Sequence, residues 1–351
     1  MTLIARNAVP SAVMPLVVLT GLLVAPWVGV YPLFVLKVLC FALFACAFNL
    51  LIGYVGLLSF GHAALFGGAG YVAGHAMTAW GVTPEAALLL GAATGALLGA
   101  GMGALAIRRQ GIYFAMVTLA LAQMLYFVFL QAPFTRGEDG LQAVPRGRLL
   151  GLLPLDSDLT LYYVVLTIVA AAFLLVGRIV SSPFGAVLAA IKENEPRAIS
   201  LGYDVDRFKL IAFTLSASLS GLAGALKTLV LGFETLTDVH WSMSGTVILM
   251  TLLGGLGTRW GPVLGALVLV SLENRLGEIG DGMATLTGVH WFRTLGESVT
   301  VVSGVIFVLT VLFLRNGLAG ALMSLGGRMH STGLPRPIGK AAAQTPRGGG
   351  A

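Results

Sequence analysis

The amino-acid sequence predicts an all-α polytopic membrane protein with eight to ten transmembrane helices. Hydrophobic residue types make up 57% of the 351 residues and charged types only 10%, and the mean hydropathy is +0.92. A soluble domain carries about 25% charged residues, so this chain has too few charges to cover a water-soluble body of its size. The composition excludes an ordinary cytosolic enzyme, a disordered protein and a secreted disulfide scaffold.

Eight apolar stretches have the length of about 20 residues that a membrane-spanning helix needs. They are residues 11–31, 33–53, 60–80, 86–107, 112–132, 160–179, 209–231 and 298–315. Hydrophobicity continues past the N-terminal stretch without a cleavage site, so we interpret the first span as uncleaved. Cys40 and Cys46 lie six residues apart in the second span, a spacing that does not share a helix face, and are predicted to be free thiols.

A further apolar stretch, residues 246–273, is too long for one helix and contains LGGLGTRWGP near its centre. Glycine and proline at this point predict either two short helices or a re-entrant hairpin, because irregular backbone at membrane depth must be buried or line water. The expected count is therefore eight spans and a hairpin, or ten spans if both halves of the hairpin cross the membrane.

The distribution of basic residues predicts the orientation of the chain. Arginine and lysine concentrate after the fourth span, in residues 180–209 after the sixth, and after the last span. By the positive-inside rule, these segments and both termini are expected in the cytoplasm. Residues 133–159, 232–245 and 274–297 are then expected outside.

Residues 1–325 are predicted to form one membrane domain. Residues 326–351 are rich in proline, glycine and alanine and are predicted to form a disordered cytoplasmic tail. The net charge of +6 is interpreted as a matter of topology and contact with membrane lipid, with no nucleic acid bound.

The sequence shows no pattern typical of an enzyme. It contains no G-x-x-x-x-G-K-[ST] phosphate loop, so ATP hydrolysis is not expected on this chain. Ser59 and His62 stand three residues apart, but nothing marks an oxyanion hole, and structural hydrogen bonding is the preferred interpretation over a serine hydrolase. The five histidines show no metal-ligand spacing, so no metal site is predicted.

Polar residues inside the predicted spans are candidates for a translocation path, because polar groups are costly in a membrane unless they have a function or a partner. Hydrogen bonding between helices is the alternative for each of them. The candidates are Asn49, Ser59, His62, Tyr71, Thr118 and Gln123. Lys227, near the end of the seventh span, is expected to extend its ammonium group to the interface rather than to pair with a buried acid.

Glycines recur every four residues in the fourth span, at Gly91, Gly95, Gly99 and Gly103. This ladder predicts one helix face on which another backbone packs closely. A helix that slides or rocks on its neighbour is the alternative interpretation.

The segment after the sixth span combines charged and apolar residues. KENEPR alternates in charge and is followed by RAISLGYDVDRFKL, which leads into the next span. A solvated loop is one interpretation. A short amphipathic helix that docks on a cytosolic partner fits better, with the charged face supplied by Glu193, Glu195 and Arg197 and apolar contacts by Ile199 and Leu201.

Several motifs, in order along the chain, resemble the membrane permeases of branched-chain amino acid ABC importers. They are SFGHAALFGGAGY, GIYFAMVTLALAQM, GEDGL, SPFGAVLAAIKENEPRAISLGYDVDRFKL, TDVHWSMSG and LLGGLGTRWGP. The resemblance extends from about residue 30 to 325. It implies a multi-pass subunit of the bacterial inner membrane that forms the path for a small polar solute, with branched-chain amino acids as the first expectation. Similar permeases import urea, short amides or aromatic acids.

The resemblance also implies the partners of this chain. They are a second homologous permease, two cytosolic ATP-binding subunits and an extracytoplasmic solute-binding protein. ATP and magnesium are expected on the ATP-binding subunits, and no cofactor is expected on this chain. The rival function, a self-contained channel or ion-coupled carrier, would need carboxylates inside the membrane. The core spans show none in the sequence, and Glu273 and Glu297 lie at edges.

The contact with the ATP-binding subunits is expected in the segment after the sixth span. Importer permeases carry an E-A-A-x-x-x-G pattern there; Ala198 and Gly202 match its last Ala and its Gly, whereas Pro196 and Arg197 depart from it. A second departure is Thr246, where members of the family often carry Glu. The residues expected to couple to the ATPase are Glu193, Glu195, Arg197, Ala198, Ile199, Leu201 and Gly202.

Overall fold

The computed structural model describes residues 20–287 except 30, 150 and 152, together with residues 301, 302, 304, 305, 308, 312 and 317–320. The described part is built mainly from α-helices, with one two-stranded antiparallel sheet of Arg148–Leu149 and Leu153–Pro154, and this confirms the all-α class. In chain order they are α1 Pro32–Tyr54, α2 His62–Ala79, α3 Pro84–Ala106, α4 Ile112–Gln131, α5 Asp158–Val180, α6 Pro183–Glu193, α7 Glu195–Ser200, α8 Val205–Leu231, α9 Leu236–Val239, α10 Trp241–Gly254 and α11 Gly261–Thr287.

Within the described residues, five helices are long and apolar enough to cross a membrane: α1, α3, α4, α5 and α8. Their ends agree with the predicted spans to within four residues. The spans predicted at 11–31 and 298–315 lie largely outside the described residues, and the tail at 326–351 lies entirely outside them.

Helix α1 forms the centre of the core. Its sequence is apolar on every side and almost all of its side chains are buried, as expected for a helix that is hydrophobic all round. Helices α5, α8, α10 and α11 pack around it. Helices α3 and α4 instead expose large apolar side chains, including Leu97, Leu105 and Phe127, as a lipid-facing surface does.

Helix α3 packs on α8 through the glycine ladder. A Cβ atom added to Gly91 would lie 2.5 Å from the Cβ of Ala225, and one added to Gly95 would lie 3.0 Å from the Cα of Gly221. Added Cβ atoms on Gly99 and Gly103 would collide with Ala217 and with the Leu210 side chain. Because any side chain would separate the two backbones, the spacing of four residues serves close helix packing here.

The broken apolar stretch is a pair of helices joined by a turn. Helix α10 ends at Gly254, the chain turns through residues 255–260, and α11 begins at Gly261 with Pro262 in its first turn. The break therefore lies where the sequence predicted it. The expectation of two short helices is wrong for the second half, because α11 continues to Thr287 and includes residues that were expected in an external loop.

The segment between α5 and α8 contains two helices rather than the single short one predicted. The side chain of Ser182 accepts a hydrogen bond from the Gly185 amide at the start of α6, and that of Asn194 accepts one from the Arg197 amide at the start of α7. These are N-caps that satisfy amides otherwise without partners. The turn after α7 contains Gly202, whose φ of +86° is favourable only for glycine.

Candidate functional site

His62 joins three helices through a buried hydrogen-bond chain. Its Nε2 lies 2.9 Å from the Ser216 hydroxyl on α8, and that hydroxyl donates to the Ala47 carbonyl of α1 at 2.5 Å. Because Ser216 uses its single hydrogen for Ala47, Nε2 of His62 must be the donor. Nδ1 of His62 then has a free lone pair, and it is buried without a hydrogen-bond partner.

Ser59 and Thr118 bind the irregular backbone between α1 and α2. The Ser59 hydroxyl accepts from the Gly61 amide at 3.1 Å, and the Thr118 hydroxyl of α4 accepts from the Phe60 amide at 3.2 Å. Ser244 of α10, which the sequence analysis did not single out, donates to the Phe60 carbonyl at 2.7 Å. Such bonds replace water for backbone that leaves the helix inside the protein.

Asn49 holds the turn between α10 and α11. Its Nδ2 donates to the Thr258 carbonyl at 3.0 Å, and its Oδ1 accepts from the Gly257 amide at 2.9 Å. One donor hydrogen and one acceptor lone pair of the amide are therefore committed to the turn. An asparagine in an apolar helix was the only sequence signal for this contact, and it could not indicate the partner.

Tyr71 and Gln123 share with His62 a buried polar atom that lacks a hydrogen-bond partner. The Tyr71 hydroxyl and Gln123 Oε1 are buried, and neither has a hydrogen-bond partner. The Tyr71 ring on α2 stacks on Phe129 of α4, with centroids 5.8 Å apart. The structure therefore leaves one polar atom without a partner on α2 at Tyr71 and one on α4 at Gln123.

Lys227 is buried in an ion-pair cluster, so the expectation that its ammonium reaches the interface is wrong. Its side chain is 4% exposed, and Nζ lies 3.2 Å from Glu234 Oε2 and also pairs with Asp238 Oδ2. The hydroxyl of Thr228 lies 2.5 Å from the same Glu234 oxygen. The Lys227 ammonium group is therefore stabilised by two carboxylates, which follow it by 7 and 11 residues, and not by water at the interface.

The carboxylates come from a segment that packs against α2. A Cβ atom on Gly70 would lie 2.8 Å from the Glu234 carboxyl carbon, and one on Gly67 would lie 2.7 Å from the Asp238 backbone. Residues 232–245 were expected as an external loop, but Glu234 and Asp238 are buried within the described protein. The described protein thus buries two carboxylates just after the seventh predicted span, outside the spans themselves.

The residues expected to couple to the ATPase divide into two groups. Ile199 and Leu201 are 56% and 69% exposed and form, with Tyr203, an apolar surface on and after α7. Ala198 is buried against Ile191 and Val205. Glu193 and Arg197 are exposed, whereas Glu195 faces the protein and accepts from Lys209 at 2.6 Å and from Gln110 at 3.0 Å. The expectation that Glu195 belongs to an outward charged face does not fit this geometry.

Several known permeases are similar to this chain. High-affinity branched-chain amino acid transport system permease proteins LivM of Escherichia coli K12 and Salmonella typhimurium are each 29% identical over 250 residues, covering 63% of this chain and 58% of the relative. The ribose import permease protein RbsC of Bacillus subtilis is 29% identical over 56% of this chain and 58% of its own length. The chain thus matches just over half the length of these relatives.

The autoinducer 2 import system permease protein LsrC of Klebsiella pneumoniae is also 29% identical, over 52% of this chain and 53% of its own length. No solved structure matches this chain. The family described as "Branched-chain amino acid transport system / permease component" matches residues 30–314, which include α1 to α11. The chain therefore belongs to this family of polytopic membrane permease components.

Proposed function

We propose that this chain is the permease subunit of an ABC importer in the bacterial inner membrane and that it forms the path for branched-chain amino acids. The observation that carries the proposal is the family match over residues 30–314. The two LivM relatives support the substrate class through their names. In this proposal both chain termini lie in the cytoplasm, and the chain works beside a second permease and a solute-binding protein.

The apolar surface of Ile199, Leu201 and Tyr203 supports a contact with a cytosolic ATP-binding subunit. Large apolar side chains exposed to water mark binding surfaces when they are contiguous. This surface lies between two spanning helices in the segment where basic residues concentrate, which the positive-inside rule assigns to the cytoplasm. We propose that ATP and magnesium bind the two partner subunits and that this chain has no ATPase site of its own.

Buried polar atoms without partners support a smaller set of solute-contacting residues than the sequence suggested. His62 Nδ1, the Tyr71 hydroxyl and Gln123 Oε1 lack partners, whereas Asn49, Ser59 and Thr118 bind backbone groups. We propose that the first three residues contact the solute during passage and that the last three hold the backbone. A zwitterionic solute that loses its bound water needs hydrogen-bond partners in the protein. The path must therefore open far enough for the solute to reach these three groups.

A ribose-like or autoinducer-like solute is the second candidate within the same class. RbsC and LsrC have the same 29% identity to this chain as the LivM proteins, over slightly smaller shares of it. Identity at this level does not separate the solutes. The LivM match covers 63% of this chain, against 56% for RbsC and 52% for LsrC, and this favours the amino-acid assignment.

Uptake by the reconstituted complex tests both assignments. The chain is purified with its second permease, its ATP-binding subunits and its solute-binding protein, and radiolabelled leucine or ribose is offered to proteoliposomes. We expect leucine uptake that requires ATP hydrolysis and stops when the catalytic glutamate of the ATPase is changed to glutamine. Uptake of ribose but not of leucine would favour the second candidate, a ribose-like or autoinducer-like solute. Uptake driven by an ion gradient without ATP would establish a carrier, for which Glu234 and Asp238 would supply interior carboxylates.

A further inference from the structure

Lys192 attaches the α6–α7 segment to the end of α1. Its Nζ donates to the Gly53 carbonyl oxygen at 2.6 Å. Gly53 lies in the last turn of α1, where carbonyl groups lack partners within the helix. A cation at this end also interacts favourably with the helix dipole. The ammonium group therefore serves as a C-terminal cap supplied by another helix.

The same end of α1 holds the turn between α10 and α11. A Cβ atom on Gly257 would lie 3.2 Å from the Gly53 carbonyl oxygen, so the turn and the Lys192 ammonium meet at one peptide group. Asn49, one helical turn earlier, binds Gly257 and Thr258. Helix α6 is thus connected to the α10–α11 turn through the last turn of α1, from Asn49 to Gly53.

A second polar contact fixes the junction of α6 and α7. Glu195 accepts from Lys209 near the start of α8 and from Gln110 in the loop between α3 and α4. Lys192 and Glu195 line a cavity of about 180 Å³, together with Gly56 and other residues. Apolar packing also attaches the segment, since Leu188 is buried in one cluster with Leu51 of α1 and the Phe184 ring stacks on Phe208 of α8. The polar contacts add fixed partners to this packing.

We infer that Lys192 is a positioning residue that transmits displacement of the α6–α7 segment to the end of α1 and to the α10–α11 turn. The inference rests on the proposed function, in which an ATP-binding subunit displaces this segment. Energetic coupling between distant sites needs an element that both sites bias. We place that element at the end of α1, since the Gly53 peptide group touches both the coupling segment and the turn.

The test compares Lys192→Met, Lys192→Arg and Arg109→Met in the complete reconstituted complex. Arg109 is an exposed basic residue of the α3–α4 loop and controls for loss of positive charge. ATP hydrolysis and leucine uptake are measured in the same proteoliposomes. We expect Lys192→Met to hydrolyse ATP and to lower leucine uptake per ATP by about tenfold, which is within the usual range of coupling between sites. Lys192→Arg, which can donate to the same carbonyl, should retain coupling, as should Arg109→Met.

A spin label attached at Leu256→Cys reports movement of the α10–α11 turn directly, whichever solute is transported. Leu256 is exposed in the turn, and its spectrum should change on ATP addition in the wild-type background but not with Lys192→Met. If Lys192→Met keeps the wild-type uptake per ATP or the wild-type spin-label response, the inference is overturned. If neither Lys192 variant assembles, Lys192 is needed for assembly and the inference is likewise rejected. Absence of ATP-driven leucine uptake in the wild-type complex rejects the proposed substrate, and the spin label still decides the role of Lys192.

Discussion

Lys227 Nζ lies 3.2 Å from Glu234 Oε2 in a place where neither side chain reaches solvent. Asp238 also pairs with this ammonium group, so two carboxylates share one lysine. Transfer of charges out of water is costly unless they are paired and hydrogen-bonded. The cluster therefore ties the segment after α8 to α8 itself, and the arrangement depends on all three charged residues.

Removing the lysine should destabilise the protein more than removing the whole cluster. Lys227→Met leaves two buried carboxylates without a cation, and breaking a buried pair costs about 3–5 kcal/mol. The triple variant Lys227→Met, Glu234→Gln and Asp238→Asn removes the charges together and should recover much of this loss. The apparent melting temperature, followed by size-exclusion chromatography of the heated protein, measures both. A triple variant no more stable than Lys227→Met would contradict the electrostatic explanation.

Leucine in the glycine ladder should prevent assembly, whereas leucine on the opposite side of the same helix should not. A Cβ atom on Gly95 meets the backbone of α8, but one on Gly101 meets nothing within 4 Å. Gly95→Leu must separate α3 from α8, and Gly101→Leu adds an apolar side chain at an exposed position. The yield of assembled complex after purification is the measurement. Equal yields of the two variants would show that the α3–α8 contact is dispensable.

Gly202→Trp should abolish transport while leaving membrane insertion intact. The residue has a left-handed φ of +86°, and no atom lies within 4 Å of a Cβ built on it. The Cβ of a tryptophan thus meets no packed neighbour, but the residue strains the turn and adds bulk beside the exposed Leu201. Gly202→Ala introduces the strain without the bulk and should transport better than Gly202→Trp. Glu193→Ala should have little effect, because exposed charges contribute about 0–1 kcal/mol.

The measurement for Gly202 is ATP hydrolysis by the reconstituted complex, with and without the loaded solute-binding protein. A Gly202→Trp complex that keeps stimulated hydrolysis and full uptake would remove the α6–α7 segment from the coupling mechanism. Equal loss in Gly202→Ala would assign the effect to the turn conformation rather than to a blocked surface.

Cysteine labelling should establish the orientation of the chain. Ser181 and Asp156 are exposed at opposite ends of α5. An impermeant maleimide on intact cells should label Asp156→Cys, and Ser181→Cys should react only after permeabilisation, as the basic-residue distribution predicts. The native Cys40 and Cys46 are buried, so the unchanged chain should stay unlabelled. Labelling of Ser181→Cys alone in intact cells would invert the topology.

The sequence alone determined the class of the protein and the positions of most helices. A run of about 20 apolar residues must form a helix in a membrane because its backbone groups have no other partners there, and this is a local property. The glycine ladder is also local, since a spacing of four residues places its members on one face. The break before Pro262 follows from local backbone chemistry in the same way.

Only the tertiary structure decided what the polar residues contact. Asn49 and Thr258 are 209 residues apart, and His62 and Ser216 are 154 apart, so no spacing in the sequence indicates these pairs. The same is true of Lys192 and Gly53, which meet through a backbone carbonyl that every residue possesses. Lys227 shows the physical reason: a lysine near a helix end can extend to water or pair with an acid. The choice depends on whether folding brings the carboxylates of the next segment beside it.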